Sequence, residues 1–194
     1  MSTVVTKRTP AAEVRDALIA AAHRVLAAQG VRGLTVRAVA AEAGVAPMGV
    51  YNHLDGKDGL MAVLVEDGFE RLRQATVASA DSDPVTRLRT AGRNYRAFAL
   101  SNPTLYRLMF SGQCDVGEAG IAALGALTEL IRYGQASGIV RLDDPQELTM
   151  VVWSCVHGAV SLELDAAAPG SVAVDSEHVF ESVLSMIERG SVPD

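Results

Sequence analysis

Glycine and proline divide this chain of 194 residues into segments, and inside each segment apolar residues recur at helical spacing. No other feature constrains the fold as tightly. Val14, Leu18, Ala22, Val25 and Leu26 mark one face of a first helix. Thr9 is placed to cap it, Pro10 suits its first position, and Gly30 suits a left-handed end. A short second helix starts at Thr35 and stops at Gly44, with Leu34 placed to staple onto Val39. The same reading predicts helices at about 47–54, 57–80, 84–101, 103–110, 117–137, 145–167 and 175–189. Beta-branched alternation never persists long enough for a convincing strand. The expected fold is all-α, with about nine helices.

Composition agrees. Hydrophobic residues make up 49% of the chain, enough for a sizeable core, and aromatics only 5%, which favours helices over a sandwich or barrel. Charge is uneven. The first sixty residues carry seven basic and five acidic side chains, a net of +2, and the rest carry ten and eighteen, a net of −8. A basic working end on an acidic body is the implied arrangement. Cys114 and Cys155 form no C-x-x-C, so a reduced, cytoplasmic setting is expected, with both thiols buried as small hydrophobes. No apolar run reaches the roughly 18 residues of a membrane span, so no membrane partner is expected. The N-terminus lacks a signal-peptide core, and its first residues read as a loose arm ending in Lys7 and Arg8.

The segment from Leu34 to Leu54 carries the functional signal. Two short helices flank a turn at Gly44, where positive φ would cost a side-chain-bearing residue about 1–2 kcal/mol. Val36, Val39, Ala40 and Ala43 form the inner face of the first helix of the pair, and Val45, Val50 and Leu54 that of the second. This leaves Pro47, Met48, Gly49, Tyr51, Asn52 and His53 facing outward. In a helix-turn-helix the second helix enters the DNA major groove N-terminus first. Pro47 and Met48 suit thymine methyls, Asn52 an adenine edge, and Arg37 a guanine or a phosphate. Thr35, Tyr51, His53 and Lys57 suit phosphates, which fix register without reading sequence. A helical hairpin with no DNA partner is the alternative.

On these residues the chain resembles the TetR family of bacterial regulators. The likeness runs from about Ala11 to Arg71. It includes Ala21 to Gly30, Gly33-Leu34-Thr35-Val36, Ala40-x-x-Ala43-Gly44-Val45, Tyr51-Asn52-His53-Leu54 and Lys57-x-x-Leu60. The resemblance implies an all-helical homodimer that binds a double-stranded DNA operator, and it extends the DNA-facing set to Ala46. It implies a helix-turn-helix domain over 11–71 and a ligand-binding and dimerisation domain over 72–194. Three departures stand out. Ala46 cannot cap the recognition helix as the usual Ser or Thr would. Gly56 and Gly59 replace a capping box, leaving Asp55 to cap the fourth helix. Leu54 replaces a more usual Phe.

Farther along, Asn102-Pro-x-Leu-Tyr-Arg-Leu-Met-Phe110 and Trp153-Ser-Cys-Val-His-Gly158 resemble a TetR-subgroup C-terminal domain marked by Trp-x-x-x-His-Gly. Trp153 and His157 are four residues apart and share a helix face. They belong either to core and dimer packing or to a ligand cavity, with His157 as a polar handle. Tyr95, Phe98, Tyr106, Met109 and Phe110 are candidate cavity walls for a small, largely apolar ligand. Val151, Val152, Val156, Val160 and Leu164, with Val179, Phe180, Val183, Leu184 and Ile187, form two apolar stripes on the last two helices. They are expected to pair across a two-fold axis, unless one stripe is buried inside the protomer.

Catalytic and metal-binding readings find little support. No H-E-x-x-H, G-x-S-x-G, phosphate loop or dinucleotide fingerprint occurs, so no cofactor or catalytic residue is expected. Cys155 and His157 lie two apart on one helix and point in different directions. The histidines and cysteines are scattered, without metal-ligand spacing. A helical adaptor that binds only protein would not need the outward set on the third helix. The expected mechanism is ligand-controlled repression, with Gly56 and Gly59 as the joint and Gly59→Ala stiffening it.

Overall fold

The computed structural model describes residues 11–78, 83–166 and 174–193. The Thr9–Pro10 cap, the arm with Lys7 and Arg8, and the expected helix ends at Ala80 and Ala167 lie outside them. The described residues form nine α-helices and no strand: α1 (Ala11–Gly33), α2 (Val36–Ala43), α3 (Pro47–Leu54), α4 (Gly56–Val77), α5 (Pro84–Ser101), α6 (Pro103–Met109), α7 (Gly117–Ala136), α8 (Pro145–Asp165) and α9 (Ser176–Ser191). None of them is long and apolar enough to cross a membrane.

The chain divides into two compact units. One runs to Gly68 and takes in Thr104–Asp115; the other comprises Phe69–Pro103 and the chain from Val116 onward. In the first unit α1, α2 and α3 pack together around Leu18, Leu26, Leu34, Val39 and Val50, all essentially without solvent exposure. α1 loses helical geometry at Gly30, where φ is 68° and ψ −175°, and then adds a last turn. Thr35 caps α2, its Oγ1 accepting from the Ala38 N–H at 3.1 Å. Gly44 closes α2 with φ 70° and ψ 27°, its N–H directed at the carbonyls of Ala40 and Ala41. The same unit contains nearly all of α6, whose Leu105, Tyr106, Leu108 and Met109 are buried. α4 meets α6 closely, since a Cβ on Gly68 would lie 2.7 Å from Met109 Sδ.

The second unit packs α5, α7, α8 and α9. Aspartates begin three of these helices: Asp83 accepts from Thr86 N at 2.8 Å, Asp144 from Gln146 N at 2.8 Å, and Asp175 from His178 N at 3.0 Å. Ile131, Val140, Leu148 and Val152 form a core cluster. A ladder of arginines ties α5 to its neighbours. Arg96 pairs with Glu163 at 2.7 Å, Arg93 with Glu181 at 2.7 Å, and Arg89 with both Glu181 and Glu188. Arg96 also lies over the buried Phe180 ring, 5.5 Å from its centroid.

Two expectations change here. The apolar stripes on α8 and α9 are split between two uses. Val152, Val156, Val160, Phe180 and Leu184 are buried inside the protomer, whereas Val151 and Leu162 are 56% and 74% exposed. Val179 and Met186 on α9 are exposed as well. The cysteines are not both buried: Cys114 is half-buried and Cys155 exposed. Cys155 shares the outward face of α8 with Val151 and Leu162, four residues after the first and seven before the second.

Candidate DNA interface and ligand cavity

The ten residues singled out for DNA all lie in the first unit, within one stretch from Thr35 to Lys57. Thr35, Arg37, Ala46, Pro47, Met48, Tyr51, Asn52 and Lys57 are exposed, and Gly49 and His53 are half-buried. The inner face of α3, Val50 and Leu54, is sealed. An eight-residue helix is unstable alone, so this packing holds α3 in place. Met48 is 65% exposed and Tyr51 55%. Large apolar side chains left in solvent on an otherwise well-sealed helix suit thymine methyls and the sugar-phosphate edge.

The joint after α3 differs from expectation. Asp55 does not cap α4, because an N-cap needs extended backbone and Asp55 has φ 51° and ψ 36°. It ends α3 instead, and it is the one non-glycine residue with positive φ among those described. Gly56 follows at φ 78° and lies under the Tyr51 ring, where a Cβ would come 3.0 Å from Cε1. Gly59 is tighter still: a Cβ there would fall 1.7 Å from the Leu54 carbonyl oxygen. Gly59→Ala therefore cannot simply stiffen the start of α4; it collides with backbone. As expected, Ala46 supplies no cap to α3, although its φ of −70° and ψ of 147° are those of an N-cap residue.

The second unit encloses a cavity of about 410 Å³. α5, α7, α8 and α9 contribute walls, joined by Thr76 at the end of α4 and the Gly138–Val140 turn. Leu88, Ile131, Val152, Val156 and Ile187 make the lining predominantly apolar. Tyr95 and Trp153 line it too. His157 stands behind them. Its Nδ1 is 2.9 Å from the Tyr95 hydroxyl, its Nε2 is 3.4 Å from Ser161 Oγ, and its ring centroid is 5.0 Å from that of Trp153. Burial pushes the imidazole pKa below its ordinary 6.5, so the ring is neutral at pH 7, with one nitrogen donating and the other accepting.

Of the seven candidate cavity residues, the structure brings together Tyr95, Trp153 and His157. Phe98 is buried but lines a separate depression with Ala75, Asn94 and Ala97. Tyr106, Met109 and Phe110 belong to the other unit, where the Tyr106 and Phe110 rings pack at 4.9 Å. None of these four lines the cavity. Sequence reasoning missed Arg89 and Glu188, the two charged residues of its wall among those described. They are 99 positions apart and carry no local signal. Among the described residues, no cluster of three or more His, Cys, Asp or Glu is placed to hold a metal ion.

A short helix with exposed groove-sized side chains, held by two others across a left-handed glycine, defines a helix-turn-helix DNA-binding regulator. Comparison with known proteins agrees. Residues 18–64 match the family described as bacterial regulatory proteins, tetR family, and residues 88–187 match the tetracyclin repressor-like, C-terminal domain. The chain belongs to the TetR family, and it is a transcription regulator rather than an enzyme. An HTH-type transcriptional regulator of Mycobacterium tuberculosis is 27% identical over 91% of this chain and 92% of its own length. A Rhodococcus sp. RHA1 protein of unknown function has the same fold, with a TM-score of 0.81 and 26% identity over 99% of this chain and 100% of its own. A tetR-family regulatory protein from Rhodococcus RHA1 superposes with a TM-score of 0.65 at 19% identity, over 94% of this chain and 98% of its own.

Proposed function

We propose that this chain is a ligand-responsive repressor that binds a near-palindromic operator as a homodimer. One observation carries the reading: α4 is a single helix that begins at Gly56, beneath Tyr51 of the recognition helix, and carries Thr76 of its last turn in the cavity wall. A ligand in the cavity and a base edge at α3 are therefore both felt by the same element. DNA binding is assigned to the head, residues 11–71, through the ten exposed or half-buried residues described above. Ligand binding and dimerisation are assigned to residues 72–194, as a member of the Trp-x-x-x-His-Gly subgroup. Tyr95 and Trp153 act as walls, and His157 holds the Tyr95 hydroxyl.

The exposed apolar face of α8 and α9, with Val151, Leu162, Val179 and Met186, suits an isologous contact with a second copy. In a dimer, two recognition helices about 34–36 Å apart reach successive major grooves. Repression is relieved only if the ligand binds the DNA-incompetent state better than the competent one; about 1–3 kcal/mol of coupling is a typical scale.

Selection from random duplexes, followed by titration at several salt concentrations, tests this reading. The expected result is a two-fold-symmetric site, a steep loss of affinity with salt, and loss of selective binding in Tyr51→Ala. A protein that stays monomeric and selects no sequence would overturn it.

A further inference from the structure

Among its described residues the cavity wall carries two charges, Arg89 and Glu188, and they neutralise each other. Arg89 Nη1 donates to both carboxylate oxygens of Glu188, at 2.8 and 2.7 Å. Its Nη2 donates to Glu181 at 3.1 Å and to Ser185 Oγ at 3.2 Å. Both terminal nitrogens of the guanidinium are thus occupied. Neighbouring cations are committed as well. Arg93 makes two bonds to Glu181, and Arg141 pairs with Asp143 while donating to the Gly190 carbonyl at the end of α9. The arginines hold the Glu181 carboxyl down at about 2, so it remains a full negative charge. Arg89 and Glu188 keep 26% and 33% of their side-chain surface exposed, which places them where solvent meets the apolar lining.

From this arrangement we infer that the cavity selects uncharged, largely hydrocarbon ligands, and that Glu188 is the residue that excludes carboxylates. The inference rests on reading the cavity as the effector site. The rest of the wall is apolar apart from hydroxyls such as those of Thr76 and Tyr95 and the Trp153 indole. A charge placed among those groups would be desolvated without a partner. Among the described residues of the wall, an anionic head group could find compensation only at Arg89. To reach it the ligand must displace Glu188, which leaves that carboxylate unpaired beside a second anion and close to Glu181. A cationic head meets the mirror problem, because it must displace Arg89 from two carboxylates. A neutral head, such as a hydroxyl or carbonyl, leaves the pair intact and can bond to the hydroxyl groups of the wall. The selectivity thus comes from repulsion built into the wall.

Trp153 is the only tryptophan in the chain and it lines the cavity, so its fluorescence reports occupancy directly. The test titrates the full-length protein with decanol, decanoate and decylamine, which share one hydrocarbon chain. The expected result is saturable binding of decanol, with decanoate and decylammonium weaker by about tenfold or more. Glu188→Gln, with folding checked by its helical circular dichroism and melting curve, should narrow the decanol-to-decanoate ratio by about tenfold. Arg89→Gln should shift the preference toward decylammonium instead. Decanoate binding as tightly as decanol to the wild-type protein would overturn the inference. So would a ratio unchanged in a folded Glu188→Gln. If none of the three probes perturbs Trp153 in the wild type or either variant, the effector-site reading itself fails, and the selectivity falls with it.

Discussion

The two units of this molecule build their working surfaces in opposite ways. The head draws the residues proposed to face DNA from one stretch, Thr35 to Lys57, placed by features nearby in sequence: the Thr35 cap, the left-handed turn at Gly44, and the glycine beneath Tyr51. The body assembles its cavity from residues between Thr76 and Pro193. Its polar features are made by partners 62 and 99 positions apart, Tyr95 with His157 and Arg89 with Glu188. A surface built locally can be read from a motif, and it tolerates change only where the motif does. A surface built at long range depends on packing that no motif encodes.

Four measurements would break or sharpen that contrast. The largest effect is expected in the body, at Phe180, which is buried beneath the Arg96 guanidinium. Phe180→Ala should cost about 3–5 kcal/mol in denaturant unfolding. A loss below about 1 kcal/mol would mean that α9 is not held by long-range packing. In the head, Gly59→Ala should cost about 3 kcal/mol, because the added methyl meets the Leu54 carbonyl and the α3–α4 joint must open. Wild-type stability in that variant would show a joint softer than its geometry. A gain is expected from Ala46→Ser, which supplies the missing cap to α3 and should stabilise the protein by about 1 kcal/mol. No gain would mean that the recognition helix is held by its neighbours alone.

The smallest effect is a pH dependence of the body. The folded state keeps the His157 pKa below its ordinary 6.5 through burial, so below that pH the unfolded chain binds the proton more readily. Stability conferred by the neutral ring is full above 6.5 and is lost as pH falls toward the depressed folded value. Thermal melts from about pH 7.5 to about pH 5.5 should show this slope, reduced in His157→Gln. Equal slopes in the two proteins would place the acid sensitivity elsewhere. Glu181, held at about 2, gives up its contribution below its ordinary 4.5.

The nine helices of the described residues were legible because each announces itself locally, through breakers and a period, and in α2, α5, α8 and α9 through a capping side chain as well. The reading head was legible for the same reason. Periodicity fails at the next level: it shows which face of a helix is apolar, but not what that face meets. Val152 and Val151 are neighbours on α8, yet one is core and the other surface. Tyr106, Met109 and Phe110 read as cavity walls because they are large and apolar, but the chain takes them into the other unit. Asp55 reads as a cap by its chemistry, and only its backbone angles show that it terminates the preceding helix. Arg89 and Glu188 look like ordinary surface charges until α5 and α9 are placed side by side.

The return of Thr104–Asp115 to the head makes the chain cross between units three times, not once. A regulator strung like beads could exchange its reading head with a relative through a single recombination. Here a graft that ends in α4 beyond Gly68 would bring in that glycine without the Met109 it packs against, and one that ends before it would place a foreign helix start on the resident pair. A new head must either arrive with its own α6 or adapt to the resident one. Inheritance of DNA specificity is therefore tied to a segment of the chain that touches no DNA in the proposed interface, and operator changes are easier to reach by substitution within α3 than by exchange of the whole unit.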